Sequence, residues 1–385
     1  MNIPVDVFVG GKPASVAYKG RTVYPSVDVI VFTVPDGVQG CYVPVAVRVA
    51  GVLSNTGTIA VTPSGKACSD PTGFSSADLQ KVLNGGTLTV ADIDLGRVGV
   101  KLSLTGLGNF QGNLDFAEGS FRRYGSAADL VASVNRGSLG GFAGPFPSLA
   151  CTVTTFEFND FLDALFPGGV DDPVTARTPT LDAGAALNVS GPLGAKQLPR
   201  RTTGGGFGYE PPGDGLLGGS IPGLPGLPPP TPDYLAAGAY TLNNGSGGAA
   251  VGAFTASLTI PGNPPVWTNQ DALSNIPRSE DVTVTWSGGA AGGYVGIFGS
   301  SADPVTGAGA KFACVAPAGP GTFTVPAWVL SALPASGADP GAGGTPVGFL
   351  TLANTLAQPV RFQATGIDVG FFNWAALQVK NVKFQ

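Results

Sequence analysis

Apolar and polar positions alternate with a period of two from the first residues of the chain. Ile3, Val5, Val7 and Val9 interleave with Pro4, Asp6 and Phe8, the pattern of a half-buried strand. Gly10-Gly11 breaks the run, and a second strand follows through Val16 and Tyr18. Three more are read in "VDVIVFTVP", in "CYVPVAVRVAG", where Val43, Val45, Val47 and Val49 share one face, and in "NTGTIAV". Two stretches depart from this rhythm. "SSADLQKVLNGG" sets a Ser cap and Asp78 ahead of an apolar Leu79/Val82/Leu83 face and stops at Gly85, which predicts a short helix; "SAADLVASVNRG" repeats the recipe.

Strands resume at "GTLTVADIDLG", "VGVKLSLTG", "CTVTTFEF", "AALNVSG", "GAYTLNNGSG" and "GAFTASLTIPG". Beyond residue 260 they recur at "DVTVTWSG", "GYVGIFGS", "AKFACVAP", "GTFTVP", "VGFLTLAN", "VRFQATG" and "AALQVKNVKF". The pattern predicts an all-β chain of tandem immunoglobulin-like β-sandwich domains with a few short helices. The expected units are 1–70, 71–260 and 261–385. The second carries a Pro/Gly loop over 204–233, in which "GLPGLPPP" favours polyproline II.

Composition sharpens this reading. Charged residues are 12% of the 385, with 60 Gly and 34 Pro, as expected of a β protein with many turns. A net charge of −5 argues against nucleic acid or an anionic membrane as a partner. No apolar run reaches the roughly 20 residues that cross a bilayer, so no membrane insertion is expected. No basic, apolar leader stands at the start, which predicts a chain whose leader was removed or whose numbering begins on a processed piece. Cys41, Cys68, Cys151 and Cys314 lack metal-type spacing. An even count in such a chain predicts disulfides and an oxidising compartment. A Cys41–Cys68 bridge would contribute about 3 kcal/mol through loop closure.

Residues 1–70 resemble the C-terminal part of an immunoglobulin-like domain of the IPT/TIG type. The residues that carry the likeness are "VFVGGKPASVAYKG", then "FTVPDGVQGCYVPVAVRVAGVLSNTGTIAV", then "CSD". Later stretches, "LDAGAALNVSGP", "FTASLTIP", "VTVTWSGG" and "FTVPAWVLSALP", are similar to the tails of uncharacterised secreted proteins of soil bacteria. The resemblance implies a bacterial extracellular or cell-surface location and no particular chemistry. In the family, further strands precede these. Here they do not, so the first domain reads as incomplete, with one apolar side uncovered.

Candidate chemistry is sparse. The chain has no histidine, which removes the commonest general base and transition-metal ligand. Carboxylate pairs remain: Asp92 with Asp94, Asp171 with Asp172, and Glu157 with Asp160. Such pairs can hydrolyse glycosides, but turn aspartates are expected in this fold class. No metal site is assigned and no cofactor is expected. Loop carboxylates and carbonyls could hold calcium, although no D-x-D-x-D-G loop is present. Trp267, Trp286, Trp328 and Trp374 could stack on sugars, against a core role expected for Trp286. In "VGFFNWAAL", consecutive aromatics place a ring outside the core or in a contact. Asn188 and Asn244 head acceptor sequons.

The expected function is non-enzymatic: an extracellular structural protein that assembles with itself into a fibre or filament, joined by strand complementation between copies. The candidate contact residues are Ile3, Val5, Val7 and Val9 at the start and Leu377, Val379, Val382 and Phe384 at the end. The alternative is an adhesin or carbohydrate-binding module of a larger secreted protein, with surface polysaccharide as its partner.

Overall fold

A computed structural model describes residues 3–24, 27–62, 74–126, 129–130, 151–158, 178–203, 206–213, 215–224, 230–289, 293–355 and 359–385. The first six strands are β1 (Val5–Val9), β2 (Lys12–Arg21), β3 (Asp28–Thr33), β4 (Gly40–Val49), β5 (Val52–Leu53) and β6 (Gly57–Val61). They make one antiparallel sheet in the order β3-β2-β1-β4, with β5 and β6 both on the far edge of β4. Gly10 and Gly11 hold φ of 58° and 76°, the left-handed pair that a two-residue hairpin loop requires. That turn delivers β2 onto one edge of β1, while β4 takes the other edge from Val5↔Val49 to Val9↔Val45.

The opening strand is therefore central, with both edges paired inside its own chain. The centre of the inner face is buried. Val7, Val9 and Val43 are buried among Ala14, Val16, Ile30, Phe32, Val47 and Ile59. Ala14, Val16, Ile30, Phe32, Val47 and Ile59 are themselves only partly buried, so the packing is tightest at Val7, Val9 and Val43.

Helix α1 (Ser76–Leu83) forms where the cap pattern placed it. Ser75 Oγ accepts from Asp78 N at 3.1 Å, and Asp78 Oδ2 accepts from Ser75 N at 2.8 Å, a reciprocal cap that satisfies two otherwise orphan donors. At the second predicted helix Ser126 Oγ likewise accepts from Asp129 N; most of that segment lies outside the described residues.

After α1 come two 17-residue strands, β7 (Leu88–Leu104) and β8 (Gly108–Tyr124), each about 55 Å long at the usual rise. Two shorter strands were expected in place of β7, because Gly96 reads as a break. Instead the glycine makes the pairing fit: a Cβ there would lie 2.0 Å from Phe116 Cζ across the hairpin. The sequence pattern does not reveal β8, because Gly112, Glu118, Gly119, Arg122 and Arg123 mask its alternation.

The rest of the chain adds β9 (Cys151–Glu157), β10 (Ala186–Gly191), β11 (Gly194–Thr203), β12 (Gly206–Tyr209), β13 (Leu216–Ser220), β14 (Gly238–Asn243) and β15 (Thr255–Ile260). Next are β16 (Val266–Trp267), β17 (Asn275–Ile276), β18 (Val282–Ser287), β19 (Tyr294–Asp303), β20 (Ala308–Pro317) and β21 (Thr322–Val325). A four-residue helix, α2 (Ala327–Leu330), precedes β22 (Ala338–Asp339), β23 (Thr345–Pro346), β24 (Gly348–Thr355), β25 (Val360–Ala364), β26 (Ile367–Asn381) and β27 (Lys383–Phe384).

The all-β class holds, but the tandem arrangement does not appear in this form. One 14-stranded sheet runs β15-β14-β10-β11-β12-β8-β7-β26-β24-β19-β20-β9, with β13 added on β8 and β25 on β26. The expected units 71–260 and 261–385 thus share one continuous sheet, joined where β26 meets β7 and where β9 meets β20. β26 pairs in parallel with β7 from Val369↔Val90 to Lys380↔Lys101, and β20 pairs with β9. Parallel pairing of strands so far apart in sequence leaves no local trace. The long sheet is covered on both faces near its middle, so β26 is buried almost throughout. That accounts for its adjacent aromatics: Phe371 enters one core and Phe372 with Trp374 the opposite one. Among the described residues no helix is long and apolar enough to cross a membrane.

Candidate functional site

The even-numbered side chains of β7 share one face. Leu88 and Val90 lie at one end and Val98, Val100 and Leu102 at the other, all buried in apolar clusters. Between them this face carries Asp92 and Asp94, each only 2% exposed. Register brings Glu118 of β8 opposite Asp94, and Ser120 opposite Asp92. On the other flank β26 sets Asn373 beside Asp94. A β-sheet places these groups together because residues paired in register project to the same side.

Hydrogen bonding in the cluster is incomplete. Asn373 Nδ2 donates to Asp92 Oδ1 at 2.9 Å. Asp92 Oδ2, both carboxylate oxygens of Asp94 and Asn373 Oδ1 are buried without a partner. These four acceptors are left without a donor. Burial, reinforced by the charge of Glu118, pushes the Asp92 carboxyl up to about 8, and burial with Asp92 as neighbour holds Asp94 well above the usual range. The Asn373 amide also moderates Asp94, though no hydrogen bond of acceptable geometry joins them. Glu118 is different. It keeps an exposed surface, yet lies deep enough among protein atoms for desolvation, then Glu210, to raise it while Arg122 opposes. With this exposed surface Glu118 forms the rim of the cluster.

Two other buried charges, Asp115 and Lys380, are well engaged. Asp115, 0% exposed, takes a bidentate fork from Arg97 at 2.7 and 2.8 Å and the backbone N–H groups of Tyr234 and Leu235 at 2.7 Å each. That network pins the segment around residue 234 to the sheet. Lys380 donates to the carbonyl of Gln270 and to Ser274 Oγ, and burial lowers its ammonium from the ordinary value. Both are structural anchors with no vacant valence.

The predicted contact strands are used internally. Val7 and Val9 are buried in the small sheet, Val5 is half-buried, and Ile3 is exposed. Leu377 and Val379 lie in the central strand β26, and Val382 and Phe384 are buried against the core under β20 and α2, where β27 pairs with β17. Neither terminal strand is free for donation, because each already has its partners.

Cys151 and Cys314 form a disulfide, facing each other across β9 and β20. The Cys41–Cys68 pairing lies outside the described residues, as do Asp160, Asp171, Asp172 and residues 225–229. Glu157 ends β9, exposed and far in register from the Asp92 cluster. The tryptophans make no open platform. Trp267, Trp286 and Trp374 are each 4% exposed, and Trp328 stacks on Phe8 with ring centroids 4.4 Å apart. Asn244 is buried and spends its amide on Ala183, Gly252 and Phe254, which removes it as a glycan acceptor; Asn188 bonds Asn243 and Gln197.

Two site features escaped the sequence reading. Glu118 sat in a stretch not recognised as a strand. Asn373 carried a signal, a lone polar residue between Phe372 and Trp374, that only a neighbouring strand could interpret. A further feature is the outer edge of β3, to which no strand pairs among the described residues. Beside it stand Tyr18 and Val31, 51% and 48% exposed and paired in register, with Val23, Tyr24 and Val27 near the hairpin end.

Compared with known proteins, the chain matches no family model and no curated protein sequence.

Proposed function

We propose that this chain is a non-enzymatic, extracellular structural protein of bacteria that assembles with copies of itself by strand pairing at the β3 edge. The observation that carries the reading is that edge. Its sequence, DVIVFT, has one charge, at its first residue, and neither Lys nor Pro within it. Edge strands in soluble monomers ordinarily carry such blocking residues, since a bare apolar edge recruits another strand. Eight of the thirteen large apolar residues that stand exposed among the described residues fall between Ile3 and Val52, so the greasy surface is concentrated on this sheet.

β15, the last strand of the large sheet, pairs only with β14 among the described residues. The free side of β15 is partly met by its own chain: Gly252, just before it, donates to Thr365 O, and Phe254 stacks on Phe362 of β25. The opposite end, β9, is met by its own chain, where Thr56 N donates to Val153 O at 3.1 Å. Pairing β3 of one copy with β15 of the next is heterologous and propagates as a filament; pairing β3 with β3 closes a dimer. The Cys151–Cys314 disulfide and the IPT/TIG-type likeness favour an oxidising, extracellular setting. Absence of histidine and engagement of the anchoring charges favour a structural role over catalysis.

The test is Val31→Lys, which places a charge on the outer face beside the edge and disturbs no buried group. Sedimentation velocity and negative-stain imaging of the parent chain are expected to show concentration-dependent polymers, reduced to monomer by the substitution. A parent chain that stays monomeric at high concentration overturns the reading.

A further inference from the structure

The Asp92 cluster is unrelated to the β3 edge and carries a separate inference. A buried carboxylate oxygen without a donor is unfavourable, and an ionised one far more so. This part of the sheet buries four acceptor atoms without a partner, Asp92 Oδ2, Asp94 Oδ1, Asp94 Oδ2 and Asn373 Oδ1, on side chains that strand register and the Asn373–Asp92 hydrogen bond place side by side. Asn373 is the decisive member. It is a neutral side chain, 3% exposed, with its N–H group committed to Asp92 and its oxygen left over. A carboxylate can shed its difficulty by taking a proton; an amide oxygen cannot, and needs a donor or a cation.

We propose that Asp92, Asp94 and Asn373 form a binding site for a divalent, oxygen-seeking cation, calcium, entered past Glu118. The donor set is oxygen only, with neither His nor Cys, which disfavours zinc, copper and other softer ions. Calcium accepts carboxylate and amide oxygens in irregular arrangements, whereas magnesium demands near-ideal octahedral geometry and sheds its water reluctantly. Among the described residues no three acidic, cysteine or histidine side chains are gathered as a metal cage. The set is accordingly two carboxylates and an amide oxygen, with water filling the remaining positions. Glu118, opposite Asp94 and accessible, draws the cation inward and extends the negative field without being required as a ligand.

Position gives the site a consequence. It lies where β26, from the end of the chain, joins β7 in parallel. A cation bridging Asp92 and Asp94 to Asn373 ties the two strands at their middle, so binding should stabilise the folded chain in proportion to its saturation.

The experiment uses the full chain, stripped with chelator and dialysed at neutral pH. Calorimetric titration with calcium chloride is expected to show one saturable site, and thermal unfolding a higher midpoint in calcium than in magnesium or chelator. Asp94→Asn and Asn373→Ala should each weaken binding by about tenfold or more, the cost typical of losing a group that holds a metal in place. Asn373→Asp, which adds a carboxylate at the same position, should restore or tighten it. Equal responses from parent and Asp94→Asn would show binding elsewhere and overturn the proposal. So would a parent chain with neither heat nor midpoint shift, which would leave protons as the cluster's neutralisers. If the variants do not fold, the parent titration decides alone.

Discussion

Asp368 shows how a single side chain holds an element in place. Its carboxylate accepts from Lys81 Nζ at 2.5 Å, from Thr89 N at 2.7 Å and from Thr89 Oγ1 at 2.9 Å, tying α1 and β7 to the start of β26. Burial works against the ionised form, but the lysine and the two threonine donors outweigh it, and the carboxyl lies below its usual value of 3.8. A depressed carboxyl stabilises the fold above its unfolded value and loses that contribution as pH falls through its folded one. Asp368→Asn should therefore cost about 1 kcal/mol at neutral pH, with the difference from the parent shrinking below pH 3.8. Urea unfolding of both proteins at neutral and acid pH checks it; a constant difference would contradict the assignment. Asp115 differs in kind, because its neighbours saturate it completely and leave it no capacity for a ligand.

Among elements, the β9–β20 ladder carries the largest covalent constraint described. Cys151 and Cys314 are separated by 163 residues, so their bond closes a long loop in the unfolded chain. Loop-closure reasoning assigns about 5 kcal/mol to a loop of that length. Cys314→Ser with Cys151→Ser should lower stability by an amount of that order, less any residual structure in the unfolded chain, read as a fall in the denaturation midpoint. β7 and β8 illustrate how much of an element is legible. The apolar runs around Thr89 and Val100 were visible as strands, whereas the continuous 17-residue pairing was not. Gly96 and Gly119 look like breaks until Phe116 and Leu187 are seen packed over them. Short capped helices are easier, since the Ser75–Asp78 reciprocity is wholly local.

For the molecule as a whole, the joint between the small and large sheets is the informative feature. Phe8 faces away from its own sheet's core and stacks on Trp328 of α2 with the rings 10° from parallel, while Arg48 lies over the Phe8 ring at 5.4 Å. Thr56 and Asn55 add hydrogen bonds to β9. Phe8→Ala should loosen this joint without unfolding either sheet, because Val7 and Val9 keep their own core. Limited proteolysis is expected to release the N-terminal sheet faster from the variant than from the parent, with the thermal midpoint of the remainder unchanged. Simultaneous loss of both parts would show that the two sheets fold as one cooperative unit. This joint also leaves the β3 edge on the side of the small sheet away from β4, which is what an assembling surface requires.

Alternation, turn glycines and cap residues were sufficient to determine an all-β chain, its hairpin at Gly10-Gly11, its first helix and most of its strands, because each depends on residues within a few positions of one another. Only the tertiary structure decided that β26 lies beside β7, that strands from both sides of residue 260 share one sheet, that both terminal strands already have partners, and that Asp92, Asp94 and Asn373 lie side by side. Those outcomes depend on which strands pair across hundreds of residues. Period-two patterning says which face of a strand is apolar, and is the same whatever strand comes to lie alongside it.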